Sequence, residues 1–106
     1  MKAEYVQRGE NLDYTNQTGK TIEAGEVVVF GNRIAVAGTT ILKGETGALH
    51  TTGVYKVPKK NSEAIEVGTD VYYSEDGFSA TKTGNAVGYA VKKAEADDTV
   101  VIIKLI

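Results

Sequence analysis

The sequence contains no cysteine and only one proline, one histidine and one methionine. The lack of cysteine excludes disulfides, thiolate nucleophiles and cysteine metal sites. Because His50 has no second histidine beside it, we expect no transition-metal site. No apolar run approaches the roughly 20 residues that a membrane-spanning helix needs, and residues 1–10 contain no apolar stretch typical of a signal peptide. We therefore expect a protein made in the cytoplasm, with no membrane partner.

No excess of positive charge is present either. The chain has 12 Lys and Arg against 14 Asp and Glu, a net charge of −2, whereas nucleic-acid binders usually show a clear basic excess. The one basic cluster, Lys56, Lys59 and Lys60, has Tyr55 as its sole aromatic neighbour. We interpret this cluster as a solvated loop and expect no nucleic-acid partner.

Glycine, by contrast, is abundant, with 12 residues scattered among Val, Ile, Thr and Tyr. That composition is typical of short strands joined by tight turns, and no segment shows a convincing helical period. We predict an all-β fold: a small single-domain β-barrel or sandwich of short antiparallel strands. Residues 17–106 form its core, and residues 1–16 are a possible extended arm.

Two dipeptides predict hairpins. Gly31-Asn32 suits a two-residue II′ turn between strands at residues 27–30 and 33–37, with the glycine at positive φ. Asp76-Gly77 is a pair favoured in type I′ turns and predicts a second hairpin. A further strand from residue 53 is expected to stop at Pro58.

A short element recurs along the chain. Residues 22–26, 41–45 and 65–69 all have the pattern I-x-x-G-[ET]. This pattern predicts a turn in which the isoleucine anchors one segment in the core and the glycine supplies a backbone angle that other residues resist. Residues 94–98 are a degenerate fourth copy with Asp97 in the glycine position, since aspartate tolerates the left-handed region. The unequal spacing indicates a recurring turn in a meander or barrel, not a solenoid.

Three strand-like segments have faces that suggest close packing or contact with a partner. The last strand, TVVIIKLI, is apolar on both faces, which favours either a central position in the domain's own barrel or one face against a neighbouring subunit. Tyr72 and Tyr73 place one ring on each face of a strand, one toward the core and one toward solvent or an interface. In NAVGYAVKK, Val87, Tyr89 and Val91 share one face, and the small residues opposite, Gly88 among them, allow a close backbone approach. The subunit-interface candidates are Tyr73, Val100, Ile102 and Ile106.

Gly19-Lys20-Thr21 matches the end of the phosphate-binding loop G-x-x-x-x-G-K-[ST]. The first glycine of that motif is replaced by Tyr14, the residues before it are polar, and a turn and strand follow where a helix N-terminus should face the phosphates. We interpret residues 16–20 as an exposed turn, without a nucleotide.

No other constellation predicts an enzyme. A catalytic serine would have to pair with His50, and Ser62, Ser74 and Ser79 all lack a G-x-S-x-G setting. The carboxylate pairs Glu10/Asp13, Glu75/Asp76 and Asp97/Asp98 lie in polar, turn-like stretches, where solvated carboxylates are expected. A hydrolase-like barrel would need a pocket with convergent polar groups. We therefore expect no catalytic residues, no cofactor, no metal and no small-molecule substrate.

The order of these elements resembles a family of small phage and prophage proteins regarded as capsid cement or decoration proteins. The resemblance covers essentially the whole chain, and its most specific parts are GVYKVPK at residues 53–59 and TGNAVG at residues 83–88. Members of the family have also been labelled recombinase-type ATPases, which the incomplete phosphate loop does not support. A nucleic-acid-binding recombination accessory protein is the alternative function, and it would require salt-dependent DNA binding.

The resemblance implies a mostly β subunit on the outside of the virion capsid, bound to the major capsid protein, as a homo-oligomer with a trimer favoured. It implies no catalytic residues. For capsid contact we single out the polar segment at residues 1–16, whose Tyr5, Val6, Leu12 and Tyr14 could order on a partner by strand addition. The alternative is that this segment is the first strand of the domain.

Overall fold

The computed structural model describes residues 1–60 and 62–106 and confirms the all-β prediction. Nine strands and no helix occur in these two ranges. The strands are β1 (Asn11–Thr15), β2 (Val27–Phe30), β3 (Arg33–Ala37), β4 (Thr46–His50), β5 (Val54–Pro58), β6 (Asp70–Ser74), β7 (Gly77–Ser79), β8 (Gly88–Ala90) and β9 (Val100–Leu105).

The strands form two antiparallel sheets. The first has the order β1-β4-β3-β2 and the second the order β5-β9-β8-β6-β7. We call residues 11–50 the first unit and residues 54–105 the second unit. The second sheet curls until its two edge strands approach each other, because Phe78 of β7 forms a parallel bridge with Lys59, just after β5.

The two units repeat one plan. In each, the first strand pairs with the last, the last with the third, and the third with the second, if β7 is set aside as an addition to the second unit. The same distance along the chain separates Asn16 from Lys59 and Ile22 from Ile65. These pairs also match in contacts: the amides of Asn16 and Lys59 donate to the carbonyls of Glu45 (2.8 Å) and Thr99 (2.9 Å), each just before the unit's last strand. The molecule is therefore built from a structural duplication.

The recurring turn holds each unit together. All four copies close with a hydrogen bond from the fifth residue's amide to the second residue's carbonyl, at 3.0–3.2 Å. The residues that begin the turns pair in twos: Ile22 with Ile41, and Ile65 with Ala94, each pair exchanging two backbone hydrogen bonds of 2.8–2.9 Å. All four of these side chains are buried. Each unit thus has two copies of the turn, joined across its interior.

The fourth copy is a turn, as predicted, but not for the predicted reason. Gly25, Gly44 and Gly68 have φ between 78° and 89°, whereas no described residue other than glycine has a positive φ. Asp97 therefore closes its turn without entering the left-handed region. The expectation that it does so is wrong, because the common type I turn requires only negative φ at its central positions.

Both predicted hairpins form, and one is displaced by a residue. Gly31 has a positive φ of 57°, and the next residue, Asn32, does not have a positive φ, as a II′ turn requires. In the second hairpin Gly77 pairs with Ser74, so the central residues of the turn are Glu75 and Asp76. Neither has the positive φ that a type I′ turn requires, so the prediction of that turn type is wrong. Two features favour glycine at Gly77: its φ of 133°, and the tight space around it, since a Cβ there would lie 3.2 Å from the Pro58 carbonyl and the Lys60 amide. It lets β7 approach the end of β5.

Two buried clusters make up the core. The larger lies in the second unit, around Phe78, Ile103 and Leu105, and the smaller in the first unit, around Ile41 and Leu49. Strand β3 joins them, because its Ile34 and Val36 pack in the larger cluster and its Ala35 and Ala37 in the smaller. Strand β3 is thus buried on both faces. The terminal strand β9 is central in its sheet but has one face toward solvent.

Strand β8 confirms the close backbone approach at Gly88. A Cβ on this residue would lie 2.4 Å from the carbonyl oxygen of Lys104. Val87, which was predicted to share the face of Tyr89, lies instead in the larger core cluster. The alternation fails there because the regular strand begins only at Gly88.

Candidate interaction surfaces

Residues 16–20, which include the partial match to a phosphate-binding loop, comprise one buried residue, Asn16, and an exposed tip. Asn16 is 1% exposed, and its amide group donates to the carbonyls of Lys20 at 2.6 Å and Ile41 at 2.9 Å. Its Oδ1 accepts from the Thr18 amide at 3.0 Å, which is an Asx turn. The prediction of an exposed turn is therefore wrong at Asn16 and confirmed for residues 17–20.

The basic cluster is divided between interior and surface. Lys59 is 9% exposed, and its ammonium donates to the carbonyls of Glu63 at 2.6 Å and Ala96 at 3.2 Å. Lys56 and Lys60 are exposed. The interpretation of all three as a solvated loop is wrong for Lys59, which occupies in the second unit the place of Asn16 in the first. The exposed part of the basic cluster is therefore limited to Lys56 and Lys60.

His50 lies on β4, inside the first sheet rather than at its edge. Its Nδ1 is 2.5 Å from the amide oxygen of Asn11, and a Cβ on Gly38 would lie 2.6 Å from its Nε2. The ring therefore packs between two neighbouring segments. In the described ranges no three His, Asp or Glu side chains come together as metal ligands.

The N-terminal segment divides at Asn11. Residues 11–15 are strand β1, paired along its length with β4, and residues 1–10, which we call the arm, are exposed throughout. Within β1, Leu12 and Tyr14 are half-buried, and Tyr14 packs against the smaller core cluster. Tyr5 and Val6 are 78% and 85% exposed. Of the four capsid-contact candidates, only these two have their side chains free for a partner.

One face of the second sheet presents apolar side chains to solvent. We call it the outer face; on β5 and β9 it consists of cross-strand pairs of Val54 with Lys104, Lys56 with Ile102, and Pro58 with Val100. Val54 is 57% and Val100 40% exposed, and Ile102 is half-buried. This is an apolar patch with lysines interspersed, the composition of a contact surface rather than of a core.

The other two interface candidates lie elsewhere. Tyr73 points toward the larger core and packs edge-to-face on Phe78, with ring centroids 5.3 Å apart. Tyr72, one residue earlier, is on the opposite side of β6, so the ring that faces outward is Tyr72. Ile106 is 51% exposed and borders a hollow with Gly9, Leu12 and Phe30, well away from Val100 along the strand.

Strand β2 is a free edge of the first sheet. Phe30 and Arg33 flank the two-residue turn, so the amide and carbonyl of Val29 point away from β3. Val29 is 50% exposed, and in the described chain no backbone hydrogen bond reaches it from outside the sheet. Beside this edge a hollow of about 260 Å³ opens between Tyr14 on β1 and Val28 on β2.

The surfaces just described offer contact areas for partner proteins. The chain matches the family described as phage cement protein over residues 6–105. It therefore belongs to the phage cement protein family, whose members are structural proteins associated with the phage capsid. Searches of curated proteins and of solved structures find no match. In the described residues no helix is long and apolar enough to cross a membrane.

The sequence indicated some of these surfaces and missed others. Alternation in TVVIIKLI placed Val100 and Ile102 on one face, and their exposure confirms that face as the outward one. Val54 was missed, although its place opposite Lys104 follows once β5 and β9 are paired. The free edge of β2 was also missed, because nothing in VVVF shows which side of a strand lacks a neighbour.

Proposed function

We propose that this protein binds the outside of the assembled capsid through the major capsid protein and stabilises the shell. The observation that carries the proposal is membership of the phage cement protein family over nearly the whole chain. A protein that binds the mature shell but not its precursor stabilises the mature form by mass action. Each copy need contribute only a few kcal/mol, since many copies act on one shell.

We propose that the outer face of the second sheet meets the shell. The sequence analysis assigned Val100 and Ile102 to contact between copies. Their position in the interior of a sheet makes contact possible only through side chains, which suits a partner whose fold is complete, such as an assembled shell. Val54 and Val100 supply exposed apolar area for it, and Lys56 and Lys104 supply positive charge among these side chains.

We also propose that the copies on the shell associate as homo-oligomers, with a trimer favoured. A trimer places several outer faces on neighbouring capsid subunits at once, and simultaneous engagement raises the avidity well beyond that of one face. Sedimentation of the purified protein measures this state directly. A monomer at all concentrations would contradict the oligomer and leave the shell contact standing.

Binding to purified capsids that lack this protein tests the shell contact. We expect Val100→Lys and Val54→Lys to weaken co-sedimentation with expanded capsids at least tenfold, because each places a charge in an apolar contact. Val67→Lys is the matched control, since Val67 is 64% exposed on a turn outside the outer face. Equal binding by all three variants would reject the outer face as the contact.

Mass spectrometry of density-purified phage particles tests the function itself. Cement proteins are expected in hundreds of copies, in a fixed ratio to the major capsid protein. If the purified particles lack this protein while the free protein is abundant in the lysate, the capsid role is rejected.

A further inference from the structure

The first unit lacks a strand that the second unit has. Strand β7 lies on the edge of β6, with Tyr72 opposite Ser79, Tyr73 opposite Phe78 and Ser74 opposite Gly77. By the duplication, β2 is the counterpart of β6, and Val29, Phe30 and Gly31 are the counterparts of Tyr72, Tyr73 and Ser74. No strand of the described chain lies on this edge of β2.

Strand β7 has a definite effect in the second unit. It places Phe78 inside the sheet, where the side chain is 2% exposed and packs on Tyr73. The equivalent interior of the first unit is open: the 260 Å³ hollow lies between Tyr14 on β1 and Val28 on β2. Phe30, which packs with Tyr14 against the smaller core cluster, is half-buried. An exposed strand edge beside an open hollow is a template for strand addition.

In the described chain the arm, residues 1–10, belongs to no strand. Its ten residues are exposed throughout, although the carbonyls of Gly9 and Glu10 accept hydrogen bonds from Thr51. Two of its exposed apolar side chains, Tyr5 and Val6, are adjacent. In an added strand, adjacent side chains point to opposite faces. One of the two would therefore point into the first unit and the other outward.

We propose that the arm of a second copy of this chain binds the edge of β2 as an antiparallel strand, in the place that β7 takes in the second unit. Tyr5 then lies opposite Phe30, as Phe78 lies opposite Tyr73, and its ring fills the open interior. Val6 lies opposite Val29, whose exposed side chain it covers. A shift of one residue would turn Tyr5 outward, so the register is fixed by these two residues.

The arm's own copy cannot supply this strand in the same direction. Gly9 and Leu12 border one hollow with Phe30, so the arm leaves β1 beside the C-terminal end of β2. If it folded back along β2 it would run parallel to that strand, whereas β7 runs antiparallel to β6. A second copy has no such constraint.

Charge favours the same register. With Tyr5 opposite Phe30, Arg8 comes within one residue of Glu26, and Glu4 comes beside Gly31 and near Arg33. In the described chain neither Glu26 nor Arg33 has an ion-pair partner, and Arg8 pairs only with exposed Glu10, at 3.6 Å. Opposite charges therefore meet at both ends of the added strand.

This contact is head-to-tail, since the arm of one copy meets the β2 edge of the next. Such contacts close into rings or continue as filaments. The proposal concerns the free protein and replaces the predicted contact of Tyr5 and Val6 with the capsid. It can fail while the shell contact of the outer face stands, and the reverse also holds.

Disulfide trapping tests it, and the absence of native cysteine makes the result unambiguous. Equal amounts of Val6→Cys and a size-tagged Val29→Cys are mixed and oxidised. Directly opposite residues in paired strands are within disulfide reach, so we expect the mixed disulfide in at least tenfold excess over two controls. One control pairs Val6→Cys with Val54→Cys, which is equally exposed on the other unit; the other pairs Gln7→Cys with Val29→Cys, which tests the register.

A chain carrying both Val6→Cys and Val29→Cys gives the size of the assembly. A ladder that stops at one covalent species on a non-reducing gel identifies a closed ring and its number of copies, and a ladder that continues identifies a filament; either supports arm exchange. Equal trapping of Val29→Cys and Val54→Cys, or no trapping at all, overturns the proposal. So does a disulfide formed only within one chain.

Discussion

The two units of this protein share one strand order and differ in how they complete it. The second unit adds β7, which buries Phe78 and brings the sheet's edges together at Lys59. The first unit turns straight from β2 into β3 and leaves an edge and a hollow. The comparison shows that the same strand order can have its edge strand covered by the chain itself in one unit, as β7 covers β6, and exposed in the other, as at β2.

The units also differ in the polar group at their centre. Asn16 and Lys59 occupy equivalent places, and each donates two hydrogen bonds to backbone carbonyls. All buried side-chain nitrogen and oxygen atoms of the described residues have hydrogen-bond partners. The duplication thus conserves the task, which is to satisfy the carbonyls of the loop, and not the residue that performs it.

The largest expected effect comes from breaking the completed unit. Phe78→Ala should lower the free energy of unfolding by about 3–5 kcal/mol, because it removes a fully buried ring and leaves a cavity. Phe30→Ala, at the position that faces the missing strand, should cost about 1–2 kcal/mol, since that ring is half-buried. Urea unfolding followed by circular dichroism measures both. Equal losses would show that the first unit is as closed as the second.

An intermediate effect is expected at the centre of the first unit. Asn16→Ala should cost about 2–3 kcal/mol, because it removes the two hydrogen bonds that the buried amide group donates to the Lys20 and Ile41 carbonyls, together with the one that Oδ1 accepts from the Thr18 amide. Exposed Gln17→Ala is the control and should change stability by less than about 0.5 kcal/mol.

Asn16→Asp separates the donor role from the acceptor role. It keeps the oxygen that accepts from Thr18 but places a buried carboxylate against two carbonyls, which raises the pKa of that carboxyl. A raised pKa means that the folded state binds the proton more tightly, so this variant should gain stability relative to Asn16→Ala as the pH falls from 7 to 4. Parallel pH profiles for the two variants would contradict the buried geometry.

The smallest effect distinguishes the recurring turns. Gly44→Ala should lower the free energy of unfolding by about 1–2 kcal/mol, because φ at this position is 78°. No atom lies within 4 Å of an added Cβ, so the backbone angle is the source of the cost. Asp97→Ala, at the same place in the fourth turn but with negative φ, should cost less than about 0.5 kcal/mol. Thermal unfolding compares the two. A similar loss for both would mean that the backbone angle does not decide the cost.

The local features of the fold were predictable, because each depends on residues close together in sequence. Glycine and turn chemistry predicted the hairpin at Gly31 and all four copies of the recurring turn. Alternation gave the inward and outward faces of residues 100–105. The all-β class followed from the same signals together with the lack of a helical period.

The features that failed depend on segments far apart in sequence. Asn16 and Lys59 looked solvated because nothing nearby shows that loop carbonyls require donors at these points. Gly77 was predicted as a turn residue, whereas it lies on β7, with φ of 133° and close to the backbone of Pro58 and Lys60. The burial of both faces of β3 depends on a second unit packing against the first, which alternation within RIAVA cannot reveal.

The pairing of each unit's first strand with its last has a consequence for synthesis. Strand β1 meets its partner β4 as soon as residue 50 is available, so the first unit can form its hydrogen bonds while the rest is still being translated. Strand β5 must wait for β9, the last strand to be made, and β8 waits with it. During that interval strand β5 has no neighbour, and β8 pairs with β6 alone. A ribosome that pauses late in the message would therefore hold a half-finished chain in its most aggregation-prone condition.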